Sequence, residues 1–501
     1  MVADQTIRPM LERMPSGVPG LDTIVRGGFI RGGLFIIQGS PGAGKTILGH
    51  QICFGHIGSG GRALYVTLLA ENHARMLLHI GQLGFFEPAV IPDRLYYVSA
   101  FRALEEQGLT GALDMLRREV SARGARVLII DGWSAVEEAA ASGREFKKFI
   151  HELQAQAAMA DCTVFLLTGI KPVAAEHTLV DGVVELQTKL YGRRAERSLE
   201  VHKLRGTAYL RGAHAYRITD DGIVVYPRTE ALLAHPTVSD RVTGPAVSTG
   251  LAQLDRMMGG GFPHHCTGLL VGPPGIGKTT LGLHFLSQCN SENRGLHFGF
   301  YETPATILDK AQALHLPVEQ LIKQGDVEVI WQPTTEGLLD EICDRLIEAV
   351  RRRGIRRLFI DGLDGFDRLT PEPERLRHIF SAFSSEFRGL GVSTLFTAES
   401  DLLGPLPGMP LSGLSLQGVS CIAEIILVTR YVELRSQLHR MISVLKVRDA
   451  DINSALHEFK IGQSGIVIAP DSASAEDILA EAARQGRETG SALRAESPRQ
   501  R

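Results

Sequence analysis

Gly39-Ser40-Pro41-Gly42-Ala43-Gly44-Lys45-Thr46 decides how the rest of the chain is read. It fits Gly-x4-Gly-Lys-[Ser/Thr], the phosphate-loop pattern. Before it, Leu34-Phe35-Ile36-Ile37 reads as a short buried strand, and residues 47–56 can form a helix. That context matters because glycines let backbone N–H groups turn inward and cradle phosphate oxygens at a helix N-terminus. Lys45 then reaches the terminal phosphates of ATP and the Thr46 hydroxyl holds Mg²⁺, with Ser40, Gly42, Ala43, Gly44 and Ile47 completing the cradle.

The same device recurs. Gly272-Pro273-Pro274-Gly275-Ile276-Gly277-Lys278-Thr279, followed by Thr280, repeats the pattern 233 residues on. The offset carries upstream: Ser16-Gly17 pairs with Thr249-Gly250, Leu21-Asp22 with Leu254-Asp255, and Gly27-Gly28-Phe29 with Gly260-Gly261-Phe262. The chain is therefore an internal duplication at domain scale, with a period too long for a solenoid.

At 501 residues, 44% apolar and 22% charged, the composition is that of a globular protein of two or three domains. A formal net charge of −3 gives no basic excess to draw the molecule onto nucleic acid or an anionic membrane. No apolar run approaches the ~18 residues of a membrane span, and residues 1–14 carry no secretory pattern. Six scattered cysteines without a C-x-x-C pair suit a reducing, cytoplasmic setting. The expected organisation is a loose leader 1–14, a first domain 15–230, a linker 231–247, a second domain 248–470 and a tail 471–501. That tail is expected to be helical near 475–487 and disordered beyond.

Residues 63–69 read as a buried strand with Glu71 just past its end, and residues 295–301 as a strand ending at Glu302. In an open α/β sheet, ligands bind outside the carboxyl ends of strands. A carboxylate there orients or deprotonates the water that attacks the terminal phosphate; otherwise it is a helix-start acid favoured by the macrodipole. Arg126-Val127-Leu128-Ile129-Ile130-Asp131 and Arg357-Leu358-Phe359-Ile360-Asp361 have the Walker B form, presenting Asp131 and Asp361 toward Mg²⁺. Thr168 ends another strand, as a γ-phosphate sensor or a turn residue.

Residues 183–188 and 198–203 read as antiparallel strands across a turn at Tyr191-Gly192-Arg193-Arg194, with Lys203 and Arg205 on one strand face. They form either a solvated face or a pair of cations aimed at a neighbouring subunit's nucleotide. Lys446-Val447-Arg448 matches Lys203-Leu204-Arg205, now 243 residues on, so the second repeat carries about ten extra residues. A Pro/Gly-rich loop at 403–413 has no counterpart in the first repeat. Arg351-Arg352-Arg353 reads as a solvated helix end rather than a nucleic-acid patch.

With these residues in view, the chain resembles the KaiC family of RecA-like ATPases over roughly residues 15–470. Lys203-Leu204-Arg205-Gly206-Thr207 through Ile218-Thr219-Asp220-Asp221-Gly222-Ile223 carries the resemblance most specifically. The resemblance implies an α/β fold of two tandem RecA-like P-loop NTPase domains, each a mainly parallel sheet flanked by helices. It also implies a stacked-ring homohexamer with ATP at subunit interfaces and Lys203, Arg205, Lys446 and Arg448 acting in trans. Slow hydrolysis in the first ring, and autokinase and autophosphatase chemistry in the second, follow from it as well.

The sequence departs from clock-type members at the paired acids after the post-P-loop strand. It has Leu68-Leu69-Ala70-Glu71 and Phe300-Tyr301-Glu302, so Tyr301 stands in the place of the first acid. The phosphoacceptor pair is matched by Ser420-Cys421, of which Ser420 alone can accept phosphate. The tail shows no match to the segment gripped by the family's activating partner. The expectation is a KaiC-like ATPase with a regulatory output and an unidentified protein partner. The alternatives are a RecA- or DnaB-like nucleic-acid motor and a nucleotide-binding scaffold with little turnover.

Overall fold

The computed structural model describes residues 11–68, 73–170, 175–235, 244–335, 337–400, 422–448 and 452–495. Glu71, Ser420, Cys421 and the loop 403–413 lie outside the described residues. The chain separates into two compact units, residues 1–232 and 233–501.

The first unit opens with a short ladder, β1 (Arg13–Met14) against β2 (Phe29–Ile30). The end of the expected leader is thus ordered, because Met14 is buried and the Arg13 guanidinium donates to the Val25 and Gly28 carbonyls. The main sheet contains β3 (Leu34–Gly39), β4 (Ala63–Thr67), β5 (Leu95–Ser99), β6 (Val127–Asp131), β7 (Thr163–Thr168), β8 (Gly182–Tyr191), β9 (Arg194–Leu204), β10 (Ala213–Thr219) and β11 (Gly222–Tyr226). Their spatial order is β11-β10-β9-β8-β3-β7-β6-β4-β5. The ladders from β8 through β5 are parallel, whereas β9, β10 and β11 add on antiparallel.

Side chains alternate across this sheet, and both faces are apolar because helices cover both. Phe35, Ile37, Tyr65, Ile129 and Phe165 pack with the helix Lys45–Gly58. Leu34, Ile36, Leu64, Leu128 and Leu166 pack with the helices Phe101–Arg123 and Gly143–Met159.

The second unit repeats the plan with β12 (Thr267–Gly272), β13 (Gly295–Gly299), β14 (Val327–Trp331), β15 (Arg357–Asp361), β16 (Ser393–Glu399), β17 (Ile425–Leu434), β18 (Gln437–Val447), β19 (His457–Gly462) and β20 (Gly465–Ile468). The order β14-β13-β15-β16-β12-β17-β18-β19-β20 is that of the first sheet, strand for strand. These are two tandem α/β domains of the expected class.

The shared upstream register has a local cause. Asp22 Oδ1 accepts from the Ser16 N–H at 2.8 Å and Asp255 Oδ1 from the Thr249 N–H at 2.9 Å. Near the start of the second unit, Val247 already pairs with Phe262, so the end of the expected linker belongs to that fold.

One expectation changes in the second unit. The tail helix runs Ala473–Ala495, past the expected 487. Its alanines and long charged residues favour helix, and Gly486 and Gly490 cost only about 1 kcal/mol each. Arg351, Arg352 and Arg353 do end the helix Leu339–Arg353. They pair with acids, Arg351 with Glu386 at 2.6 Å and Arg353 with Glu328 at 2.9 Å, so they form no free basic patch. Among the described residues, no helix is long and apolar enough to cross a membrane.

Candidate nucleotide sites

Each phosphate loop leaves the carboxyl end of the strand at the middle of its sheet, β3 or β12, and enters a helix directly. The turn needs a residue with positive φ just before the lysine. Gly44 has φ +96° and Gly277 has φ +115°. A Cβ at Gly277 would lie 2.5 Å from Ile461 Cδ1, whereas one at Gly42 would meet nothing within 4 Å. The loop is therefore packed underneath and open above. In the first unit Tyr216 donates from β10 to the Ala43 carbonyl at 2.6 Å, fixing the loop from below.

The lysines occupy the same position in both loops. Lys45 Nζ donates to the Gly39 and Ser40 carbonyls at 2.8 and 3.1 Å, and Lys278 Nζ to those of Gly272 and Pro273 at 2.9 and 3.1 Å. Burial lowers the pKa of both ammonium groups, and nearby carboxylates partly offset it, Asp131 for Lys45 and Glu399, Asp361 and Asp364 for Lys278.

The Walker B carboxylates meet the loop threonines. Thr46 Oγ1 lies 3.2 Å from Asp131 Oδ2, and Thr279 Oγ1 lies 2.7 Å from Asp361 Oδ2. A hydroxyl beside a carboxylate is an all-oxygen set that suits Mg²⁺, an ion that keeps several waters and takes the rest of its ligands from phosphates. Among the described residues no group of three or more His, Cys, Asp or Glu side chains is placed to hold a metal ion.

The two repeats orient this carboxylate differently. Tyr65 donates to Asp131 at 2.6 Å. At the matching position His297 Nε2 lies 3.9 Å from Asp361, beyond hydrogen-bond length, while Thr397 donates to Asp361 Oδ1 at 2.8 Å. Burial alone would push the Asp361 carboxyl up. The His297 ring and the Thr279 and Thr397 hydroxyls outweigh it and hold Asp361 below its ordinary value. Thr168 stands where the second unit has Ala398, so the sensor reading of Thr168 has no counterpart there.

Glu302 lies beside this cluster. Its Oε1 is 3.5 Å from Thr279 Oγ1 and pairs with Lys310, while Oε2 is buried without a partner. Tyr301 donates to Asp364 at 2.5 Å, and burial together with that carboxylate pushes its hydroxyl pKa well up, so Tyr301 offers no base. Asp364 is one residue that sequence reasoning missed. The signal was Asp361-Gly362-Leu363-Asp364, against Asp131-Gly132-Trp133-Ser134 in the first repeat.

Lys203 and Arg205 converge within their own chain on the end of the helix Ala175–Leu179. Lys203 Nζ donates to the His177 and Thr178 carbonyls at 2.9 and 3.0 Å, and Arg205 Nη2 to Thr178 at 2.9 Å. Lys203 is in β9, but Arg205 lies just past its end rather than on a strand face. Lys446 Nζ donates to the Ala423 carbonyl at 2.8 Å, and Arg448 lies 3.6 Å from Glu424.

Both pairs sit at the amino end of the parallel strands. Leu204 pairs with Gly182, which in turn pairs with Phe35, while Val447 pairs with Ile425, which pairs with Gly268. Roughly 15 Å of strand separates them from their own phosphate loop.

A carboxylate ties each pair to the loop strand. Asp181 Oδ2 accepts from the Leu34 N–H at 3.0 Å and Oδ1 lies 3.7 Å from Arg205; Glu424 Oε2 accepts from the Thr267 N–H at 2.9 Å. Neither acid was singled out from the sequence, because an acid before a strand carries no motif.

The family described as "ATPase: KaiC" matches residues 14–230 and 247–473. Similar curated proteins include the circadian clock oscillator protein KaiC of Picosynechococcus sp., 26% identical over 95% of this chain and 92% of its own length. The protein of the same description from Synechococcus elongatus is 26% identical, covering 91% and 88% of the two chains. With two P-loop sites of matching geometry on two sheets of one topology, and a family match spanning both, the chain belongs to the KaiC family of ATPases.

Proposed function

We propose that the chain binds and hydrolyses ATP in both repeats and assembles as a nucleotide-dependent homohexamer of stacked rings, with a regulatory or signalling output through a protein partner. The placement of Lys203, Arg205, Lys446 and Arg448 supports this reading best. They lie at the end of each sheet away from their own unit's phosphate loop, so they are out of reach of that loop's nucleotide and suit a role toward the nucleotide of a neighbour.

In each site Mg²⁺ would be held by Thr46 and Asp131, or Thr279 and Asp361, and supplies charge neutralisation at the β- and γ-phosphates. The loop N–H groups and Lys45 or Lys278 bind the phosphates. In the second repeat Glu302 orients a water and takes its proton as the water oxygen bonds to the γ-phosphorus. The bond to the bridging oxygen breaks, and ADP and phosphate leave. Glu71 takes that role in the first repeat. Lys310 keeps Glu302 aimed by pairing with one of its oxygens. Glu302→Gln is expected to lower the second repeat's phosphate release by about 10²-fold, the general-base range, with nucleotide affinity unchanged in an equilibrium titration.

The relatives' clock role is not carried over. Tyr301, hydrogen-bonded to Asp364, supplies no base to activate a protein hydroxyl, which favours water over Ser420 as acceptor. Light scattering tests the assembly: ATP with Mg²⁺ is expected to convert the wild type to hexamers, and a chain that stays monomeric at saturating nucleotide refutes the reading. Mass spectrometry of the intact chain after incubation with labelled ATP separates hydrolysis from phosphorylation of Ser420.

A further inference from the structure

At the amino end of its parallel strands, the second unit contains a cavity of about 610 Å³, within the usual size range of small-molecule pockets. Its lining includes His264, His265, Arg356, Arg357 and Gly391, and no acidic residue among those described. The first repeat shows what this place is built to hold. There Asp161 is ion-paired with Arg31 and lies 3.8 Å from Arg126.

The strand registers make the equivalences direct. Arg126 and Arg356 each stand one residue before the Walker B strand, β6 or β15. Asp161 and Gly391 each stand two residues before the next strand, β7 or β16. Arg31 and His264 share the 233-residue offset.

The scaffold is retained and the anion is not. Arg126 donates to the Ala160 carbonyl, and Arg356 donates at 2.5 Å to that of Leu390, its equivalent. Asp161 has φ +48° and Gly391 φ +77°, both left-handed backbone. A Cβ built on Gly391 would lie 3.1 Å from both Arg356 Nη1 and His265 Nε2. The side chain that is missing would thus point its carboxylate among these groups. Around that point the rings of His264 and His265 lie with centroids 3.6 Å apart at an interplanar angle of 32°, and each has a buried Nδ1 without a partner.

We propose that the second repeat binds a small carboxylate anion in this cavity, where the free carboxylate takes the position that the Asp161 side chain fills in the first. Arg356 supplies the charge, and the two imidazoles supply hydrogen-bond donors. The cavity is far larger than one carboxylate, so the ligand is a molecule of several carbons, with a dicarboxylate as the simplest probe. The site is separate from the nucleotide sites, which lie at the carboxyl ends of the same strands.

The test is calorimetric titration of the full chain with succinate at low ionic strength, with ADP and Mg²⁺ saturating the phosphate loops. Inorganic phosphate is titrated in parallel. Succinate is expected to bind once per chain. Arg356→Gln is expected to weaken it at least tenfold, and so is Gly391→Asp, which tethers a competing carboxylate. Gly391→Asp without succinate is expected to stay folded but to gain no stability, because the left-handed backbone strains a side chain there and its Cβ crowds Arg356 and His265, and both variants should keep wild-type ATPase rates.

Absence of succinate binding overturns the proposal. So does binding that either variant leaves unchanged, or a tenfold preference for phosphate over succinate.

Discussion

Lys278→Ala is expected to remove one of two ATP-binding events per chain, and Lys45→Ala the other, each weakening its own site by about 10²–10³-fold. The size follows from truncating one partner of a charge-paired contact, roughly 3–4 kcal/mol, at 1.4 kcal/mol per tenfold. Titration with a fluorescent ATP analogue checks it, the stoichiometry falling from two to one. The fold should survive. Each ammonium donates to two carbonyls of its own loop, Lys278 also lying 3.7 Å from half-exposed Glu399, and that loop is open above, so water takes over these partners. An unchanged melting temperature without nucleotide separates lost binding from lost structure. Under the proposed function, Lys45→Ala also abolishes ATP-dependent assembly, whereas two full binding events in either variant would reject the sites described here.

Glu424→Ala is expected to be strongly destabilising. The Glu424 carboxylate is buried, accepts from the Thr267 N–H at the foot of β12, and pairs with Arg388 at 2.5 Å and Arg448 at 3.6 Å. Removing it leaves a buried N–H unsatisfied and a half-buried guanidinium uncompensated. Breaking such a pair from one side costs about 3–5 kcal/mol. For a unit of this size the melting temperature should fall by about 10 °C, read by calorimetry as a shift of one transition. Glu424→Gln keeps an acceptor for Thr267 and should lose about half as much. Asp181→Ala also strips the Leu34 N–H of its acceptor, but its other partners are neutral Gln154 and half-exposed Arg205, so it should lose less. Equal losses in all three would mean the ion pair with Arg388 contributes nothing.

The local motifs were legible because backbone geometry forces them. A turn that aims several N–H groups at one phosphate needs glycine at Gly44 and Gly277, and a strand that presents a carboxylate to Mg²⁺ needs an apolar run ending in Asp131 or Asp361. Each signal is confined to a few neighbouring residues, and the recurrence of the phosphate loop and its upstream register 233 residues on revealed the duplication. The strand–loop–helix context of the phosphate loops was read from buried apolar runs, and the α/β class followed from the resemblance to the KaiC family. The ordered end of the leader and the longer tail helix were misread because each depends on a partner or on weak propensities rather than a motif.

What the sequence by itself determined is therefore the chemistry of the two phosphate loops, the doubling of the domain and the pairing of Lys203-Leu204-Arg205 with Lys446-Val447-Arg448. Only the tertiary structure decided which end of each sheet these cations occupy. It also decided that Asp181 and Glu424 tie them to the loop strand, and that Gly391 leaves Arg356 without the carboxylate that Arg126 has beside it. The reason is physical. A motif is written by neighbours along the chain, whereas the distance between a cation on one strand and a loop on another is set by ladder register, which no local run of residues records.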